Sequence, residues 1–414
     1  MSAAPLSRSL PTPLDWSQRE QAFVLPPAVT YLDAAARGPM LRAVQTVAHQ
    51  AIDALATPWQ LSFAAWVEQI EQLRALAAGL FDGDTDAVAL VPSAAHGLAT
   101  AARNLQLQRG EAVLVLEGQF PSNLLIWQRR CAEVGAQIVA VPMAAEEPLT
   151  EAVLRAITET AALRVVSLPH AYWLDGRQLD LDRITDAVQA RGAALVLDLS
   201  QSLGVLPTDL PRWRPDFVVS VGHKWLLGPM GLAWLWVAPR WRTRGVPIEE
   251  HWSGRDAGSS WEFPIAAAPD YRAGARRYDA GGVADPLRLA MATAALQQIA
   301  AWQPARIAHA LGALTTQWDA ALQAQGLASW CTPGHAPHLT ALRPPAAQLK
   351  SVATTLRALG AVCTQRHGRL RIAPHLSVTG QALAELVAAT GERGYTVEKT
   401  TAGTRMNLSL REIP

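Results

Sequence analysis

Apolar and polar positions along the chain fall into two textures. Short apolar runs at residues 87–91, 111–117, 164–168, 193–198, 216–221 and 232–237 alternate little with polar positions and are bounded by clusters of Gly, Pro, Ser and Asn. A run that is apolar on both faces needs cover on both faces, which predicts central strands of a mostly parallel sheet. Helical stretches lie between the runs: 40–55, one opening after Ser93 and running through Leu105, one carrying Trp127, and one starting around 179–182. This alternation predicts an α/β unit with ligands bound beyond the carboxyl ends of its strands. From Pro286 the texture changes to helices at 287–303 and 305–325, with strands near 338–342 and 369–372, which predicts a smaller α+β unit. The expected division is an N-terminal arm over 1–30, a large domain over 31–285 and a small domain over 286–414. The polar, glycine-bearing stretch 242–270, which includes Trp252, Trp261 and Arg255, reads as a long functional loop.

Composition narrows the function classes. At 414 residues the chain suits two domains, and with 50% hydrophobic and 17% charged residues it has the profile of a well-packed enzyme. Lys plus Arg is 36 and Asp plus Glu is 35, so no global field favours nucleic acid or an anionic membrane. No apolar stretch is long enough to span a membrane, and the start of the chain lacks the apolar core of a signal peptide. Three cysteines, Cys131, Cys331 and Cys363, show no C-x-x-C spacing, which argues against zinc or a disulfide framework and fits a reducing cytoplasm.

The candidate chemistry lies between the last two apolar runs. Lys224 sits there, flanked by Gly222, His223, Gly228 and Gly231. Burial lowers a lysine's pKa, and a lysine that sheds its proton is a nucleophile suited to a Schiff base with pyridoxal phosphate. Such an enzyme needs a carboxylate against the pyridine nitrogen so that the ring acts as an electron sink. Asp198 closes the apolar run 193–198, where a sheet of this kind binds its ligands. Residues 92–98, from Pro92 through Ser93, Ala94, Ala95 and His96 to Leu98, join a strand to a helix through small residues, an arrangement that gathers amides and the helix dipole around an anion.

With these residues the chain resembles the aminotransferase class V group of pyridoxal-phosphate enzymes, which includes cysteine desulfurases, kynureninase and isopenicillin N epimerase. The ergothioneine sulfoxide lyases are the nearest subgroup in this reading. The resemblance runs from Tyr31 to Leu376 and implies fold type I: a mostly parallel seven-stranded sheet with a smaller α+β domain. It implies that Lys224 carries the cofactor and Asp198 meets its ring nitrogen. It places Ser93, Ala94, Ala95 and His223 at the phosphate, Phe120 over the ring, and Trp173 and Gln201 near the phenolic oxygen. Ser93 also reads as a plain N-cap, and Trp173 as part of an apolar wall with Tyr172. Arg371, in the segment Leu370 to Leu376, corresponds to the family's clamp for the substrate α-carboxylate, since a guanidinium fork suits a carboxylate. Asp33, Ala35 and Arg37 begin the large domain at the substrate entrance, or form a tight turn. The chain departs from its relatives where Ala94, Ala95 and Val221 replace hydroxyl residues. Gly282 stands where relatives have a threonine that reaches the partner subunit's phosphate, and Arg276 and Arg277 are alternative sources of positive charge.

The activity implied is β-elimination on a cysteine-derived amino acid, a C–S lyase, with aminotransferase or epimerase of the same family as alternatives and a fold-retaining binding protein as the non-enzyme alternative. Cys363 lies close before Arg371 but outside a recognisable desulfurase cysteine loop, so an inert thiol is expected. The expected partners are a small amino-acid substrate and a second copy of the chain in a homodimer, with no nucleic acid, membrane or metal. No G-x-G-x-x-G opens a helix after the first strand, which argues against a nicotinamide-binding protein.

Overall fold

The computed structural model describes residues 10–144, 147–256, 258 and 262–391. The first nine residues of the expected arm, Trp261 and residues 392–414 of the expected small domain lie outside the described residues. The strands in chain order are β1 (Thr30–Tyr31), β2 (Val88–Val91), β3 (Ala112–Leu116), β4 (Gln137–Val141), β5 (Leu163–Pro169), β6 (Ala194–Asp198), β7 (Phe217–Val221), β8 (Ala233–Val237), β9 (Thr340–Leu342), β10 (Ala361–Val362), β11 (Thr364–Arg366) and β12 (Arg369–Ile372). Four helices matter for the site: α1 (Arg42–Leu55), α2 (Phe63–Ala78), α3 (Ala94–Asn104) and α4 (Pro121–Val134).

The main sheet has seven strands in the order β2-β8-β7-β6-β5-β3-β4. All neighbours from β7 through β4 pair in parallel, while β8 runs antiparallel to both β2 and β7. Successive side chains of the central strands point to opposite faces. Val113, Val165, Val196 and Val219 pack with Leu98 and Trp127 of α3 and α4, while Leu114, Val166, Leu197 and Val218 join a second core on the other face. Each such side chain, removed from water, contributes roughly 1.5–3 kcal/mol, so the frame that carries the strand ends is rigid.

A three-stranded antiparallel sheet, β11-β12-β9, forms a second unit with helices Pro304–Ala324, Ala346–Ala358 and Gly380–Gly391. The β11–β12 hairpin turns at His367 and Gly368, both at positive φ (46° and 74°), a two-residue turn that matches the strand twist. The stretch from Trp16 to Phe23 is anchored rather than loose. Leu14 and Gln298 exchange two hydrogen bonds of 2.8 and 3.0 Å, and Phe23 packs on Trp302 and His375. The described residues of 242–285 are largely irregular, with short helical turns at Pro239–Arg244, Trp252–Gly254 and Gly274–Tyr278.

Candidate active site

Five strand ends converge. Asp198 closes β6, Lys224 follows β7, Phe120 follows β3 and caps α4, Trp173 follows β5, and Ser93 joins β2 to α3. The lysine loop is folded on itself: Gly222 N donates to Leu232 O at 3.0 Å and Gly228 N to Gly222 O at 2.8 Å. It is also braced from outside, because Gly38 N donates to His223 O at 2.8 Å and a Cβ on Gly38 would lie 2.1 Å from Lys224 O. Only glycine permits that approach.

Desolvation pulls the Lys224 amine down to about 8. Asp198 and Asp33 oppose the shift, while Arg371 adds to it. Three charges from three distant parts of the chain thus act on one amine. Asp198 is buried, and its Oδ1 accepts from Ser200 N at 3.0 Å. Next to the lysine, burial and the charges of Lys224 and Arg37 press His223 down to about 4, so its ring is neutral at pH 7. Arg37 is itself exposed, with Nη2 3.1 Å from Met230 Sδ.

An aromatic wall stands near the amine. Lys224 Nζ is 5.3 Å from the Phe120 ring centroid, and Phe120 meets Trp173 edge to face at 5.5 Å. Trp173 Nε1 donates to Gly118 O at 3.0 Å, which suits the apolar-wall alternative for this residue. Gln201 is likewise engaged: its Nε2 donates to Ala35 O at 3.0 Å and its Oε1 accepts from Trp225 Nε1 at 2.8 Å. Ala35 is buried, and its carbonyl is the group it offers. Ser93 is an N-cap, its Oγ accepting from His96 N at 3.1 Å, while Ala94 and Ala95 begin the helix with amides that have no intrahelical partner.

Gly282 borders a cavity of about 520 Å³ lined by Phe63, Trp66, Trp252 and Phe263 among others, and Lys224 is not among its lining residues. Arg276 is paired with the carboxylates of Glu71 and Asp86, while Arg277 donates to the carbonyls of Thr243 and Gly245.

Arg371 reaches the site from β12. Its Nη2 lies 2.8 Å from Asp33 Oδ1 and its Nη1 donates to Trp173 O at 3.2 Å, while Nε is buried without a partner. Three contributors escape the sequence reading. Trp225 is held between His338 (4.4 Å, edge-on) and His375 (6.0 Å, stacked), and both rings are pressed to about 3 by burial. His338 Nε2 donates to Gln201 O at 2.5 Å, and Thr364 Oγ1 bonds to Asp33 Oδ2. The signal for Thr364 is the His367-Gly368 turn, which sets it opposite Arg371; the histidine contacts leave no local signal.

The donor set fits pyridoxal phosphate: an amine lowered toward neutrality, a buried strand-end carboxylate acting on it, an open aromatic face on Phe120, which is 39% exposed, and a buried guanidinium whose Nε has no partner. Fold and site define a pyridoxal-phosphate-dependent enzyme of fold type I. Among known proteins the chain is 26% identical over 330 residues to the "Uncharacterized aminotransferase YcbU" of Bacillus subtilis, covering 78% of this chain and 85% of that protein. It is 26% identical over 244 residues to the isopenicillin N epimerase of Streptomyces clavuligerus, covering 58% and 61%. Its fold is similar, at a TM-score of 0.76 and 20% identity, to the cystine C–S lyase C-DES in complex with cysteine persulfide, covering 89% of this chain and 98% of that one. The family model for aminotransferase class V matches residues 30–376, and the chain belongs to that family.

Proposed function

We propose that this enzyme is a β-eliminating C–S lyase acting on a cysteine-derived amino acid. The observation that carries the reading is the state of the thiols. Cys363, close to Asp33 on the small sheet, is pushed up to about 11 by burial and by that carboxylate, Cys331 to about 11 by burial and Asp319, and Cys131 upward by burial. A desulfurase needs a thiolate to take sulfur from the substrate, and none of the three is poised to be one. Sulfur therefore leaves with the departing group.

In this reading Lys224 anchors the cofactor, Asp198 faces its ring nitrogen and Phe120 lies against its ring. His223, Ser93 and the amides of Ala94 and Ala95 receive its phosphate, Gly282 belongs to the loop that approaches the partner subunit's site, and Trp173 and Gln201 build the walls. Bound pyridoxal phosphate supplies an aldehyde for the substrate amine and an electron sink for the α-carbon. Arg371 orients the α-carboxylate, with Asp33 and Ala35 at the entrance. Lys224 Nζ takes the α-proton, and the electron pair left on Cα expels the β-sulfur with its bonding pair; water then releases pyruvate and ammonia. Phe120 and Trp173 carry no titratable group, so the aromatic wall offers no second base to return a proton to the other face, as an epimerase requires. The enzyme acts as a homodimer, for which Ile52, Leu55, Trp59 and Phe63 provide exposed apolar surface.

The test is to incubate the holoenzyme with a panel of amino acids and cysteine conjugates, assaying pyruvate, keto acid and inverted enantiomer in parallel. Pyruvate with stoichiometric thiol or sulfenate is expected. Keto acid matching the intact substrate, or the inverted enantiomer without C–S cleavage, overturns the lyase reading.

A further inference from the structure

The Arg371 guanidinium, at 3% side-chain exposure, is a buried cation, and a buried cation needs a fixed counter-charge. Among the described residues one carboxylate supplies it, Asp33, at 2.8 Å. We propose that Asp33 is a positioning residue for Arg371: it fixes the guanidinium through Nη2 and leaves the Nε–H for the substrate's α-carboxylate. This rests on the reading of Arg371 as the carboxylate clamp.

Two arrangements separate a holder from a plug that substrate must displace. First, Asp33 is itself held. Its Oδ2 accepts from Thr364 Oγ1, and its carbonyl accepts from Ala36 N at 2.9 Å and Arg37 N at 3.1 Å. The chain on either side is stitched to the strand that carries the arginine, Ala34 N donating to Ala373 O at 3.1 Å and Ala373 N to Leu32 O at 2.8 Å. Thr364 lies directly opposite Arg371 in the β11–β12 register, so acid, hydroxyl and guanidinium belong to one patch. A carboxylate tied down at both ends moves with the arginine.

Second, the arginine is incompletely satisfied. Nη1 donates to the Trp173 carbonyl and Nη2 to Asp33, yet Nε is buried without an acceptor. An unmade hydrogen bond on a buried charged group is costly, and at this arginine, beside the Lys224 amine, the substrate's carboxylate is the acceptor that would complete it. Electrostatics at the lysine agree. Arg371 lowers the Lys224 amine and Asp33 raises it, so neutralising Asp33 leaves the arginine opposed at that amine by Asp198 alone.

The experiment uses the holoenzyme and a ligand pair differing only in the carboxylate: 2-methylalanine, which has no α-proton to lose, and isopropylamine. Dissociation constants are read from the cofactor's absorption band. In Asp33→Asn the constant for 2-methylalanine should rise about 30–100-fold, the range of a lost charge-assisted bond, while that for isopropylamine stays within about 3-fold. Thr364→Val should move the same ratio in the same direction by about 3–10-fold, less than Asp33→Asn because it loosens the holder and leaves its charge in place, and serves as the second variant if the first fails to fold. In the cofactor-free protein, the pH midpoint of Lys224 modification by trinitrobenzenesulfonate should fall in Asp33→Asn. A merely structural loss would weaken both ligands together and leave the midpoint in place, which overturns the proposal. Tighter binding of 2-methylalanine overturns it too, because Asp33 is then a competitor. A wild-type holoenzyme that forms its band and prefers the carboxylate, with a ratio unchanged in Asp33→Asn, defeats this inference alone. A wild-type chain that forms no lysine-dependent band defeats the functional reading as well.

Discussion

The two sides of the site are made of different matter. One side carries charge: Asp198 and Lys224 from the main sheet, joined by Arg371 and Asp33 near the small one, all acting on one amine. The other carries aromatic surface, Phe120 against Trp173, with the indole N–H spent on a backbone carbonyl. Proton movement and charge stabilisation have only the first side to use, and shape and orientation fall to the second. Substitutions should therefore separate into large effects on rate or substrate binding from the charged side and small effects on cofactor affinity from the aromatic side.

The contrast is broken first at Lys224. Lys224→Ala should abolish the visible absorption band of the holoenzyme and lower turnover by about 10⁴-fold, the upper range for a positioned base, measured by pyruvate release. Retention of either would remove the lysine from the chemistry. Asp198→Asn keeps the shape of the side chain and removes its charge. It should leave cofactor bound and cut turnover by about 10²–10³-fold, as for the loss of one preorganised electrostatic contact; an unchanged rate would take away the electron-sink role. Arg371→Ala should raise the Michaelis constant for amino acids by about 10–100-fold and leave simple amines nearly unaffected, and equal effects on both would place the clamp elsewhere.

How far the sequence discloses this division follows from the distance over which each residue is set. Asp198 and Lys224 are legible because each closes or follows an apolar run, and strand ends of an α/β sheet are where ligands bind. The six runs read as strands all occur in the seven-stranded sheet. The missing strand, β4, is an edge strand with exposed Gln137 and Ala140, so its apolar signal is diluted. The small sheet is harder to read: β11 spans three residues, and β10, which pairs with β1 beside it, spans two, both too short for periodicity. For the same reason Thr364 is invisible as a partner of Asp33, although the His367-Gly368 turn encodes the register. Trp173 and Gln201 show a different limit. Their residue types suggest ligand contacts, and the fold adds partners at Gly118, Ala35 and Trp225 that the residue types do not foretell. Hydrogen bonds to backbone carbonyls far away in sequence have no local signature.

A milder probe leaves every residue in place and changes the proton. With its pKa drawn from 10.5 to about 8, Lys224 is the rarer free amine below that pH and the dominant one above it. The rate at which the cofactor-free protein captures the aldehyde should rise about tenfold per pH unit up to about 8 and then level off. A rate still climbing steeply at pH 10 would mean that the amine is not desolvated.

The smallest effect is expected on the aromatic side. Phe120→Leu keeps an apolar side chain but loses the flat face, and a ring pair is worth about 0.5–1.5 kcal/mol beyond its buried area, or roughly a 2–10-fold weaker hold on cofactor. Because Phe120 neither gives nor takes a proton, the pH profile and the ratio of pyruvate to any other product should not move. Equilibrium titration with cofactor and product analysis on the same sample check both halves. If Phe120→Leu instead changed the product ratio or shifted the profile, the aromatic side would be directing proton traffic, and the single-base reading that separates lyase from epimerase would fail with it.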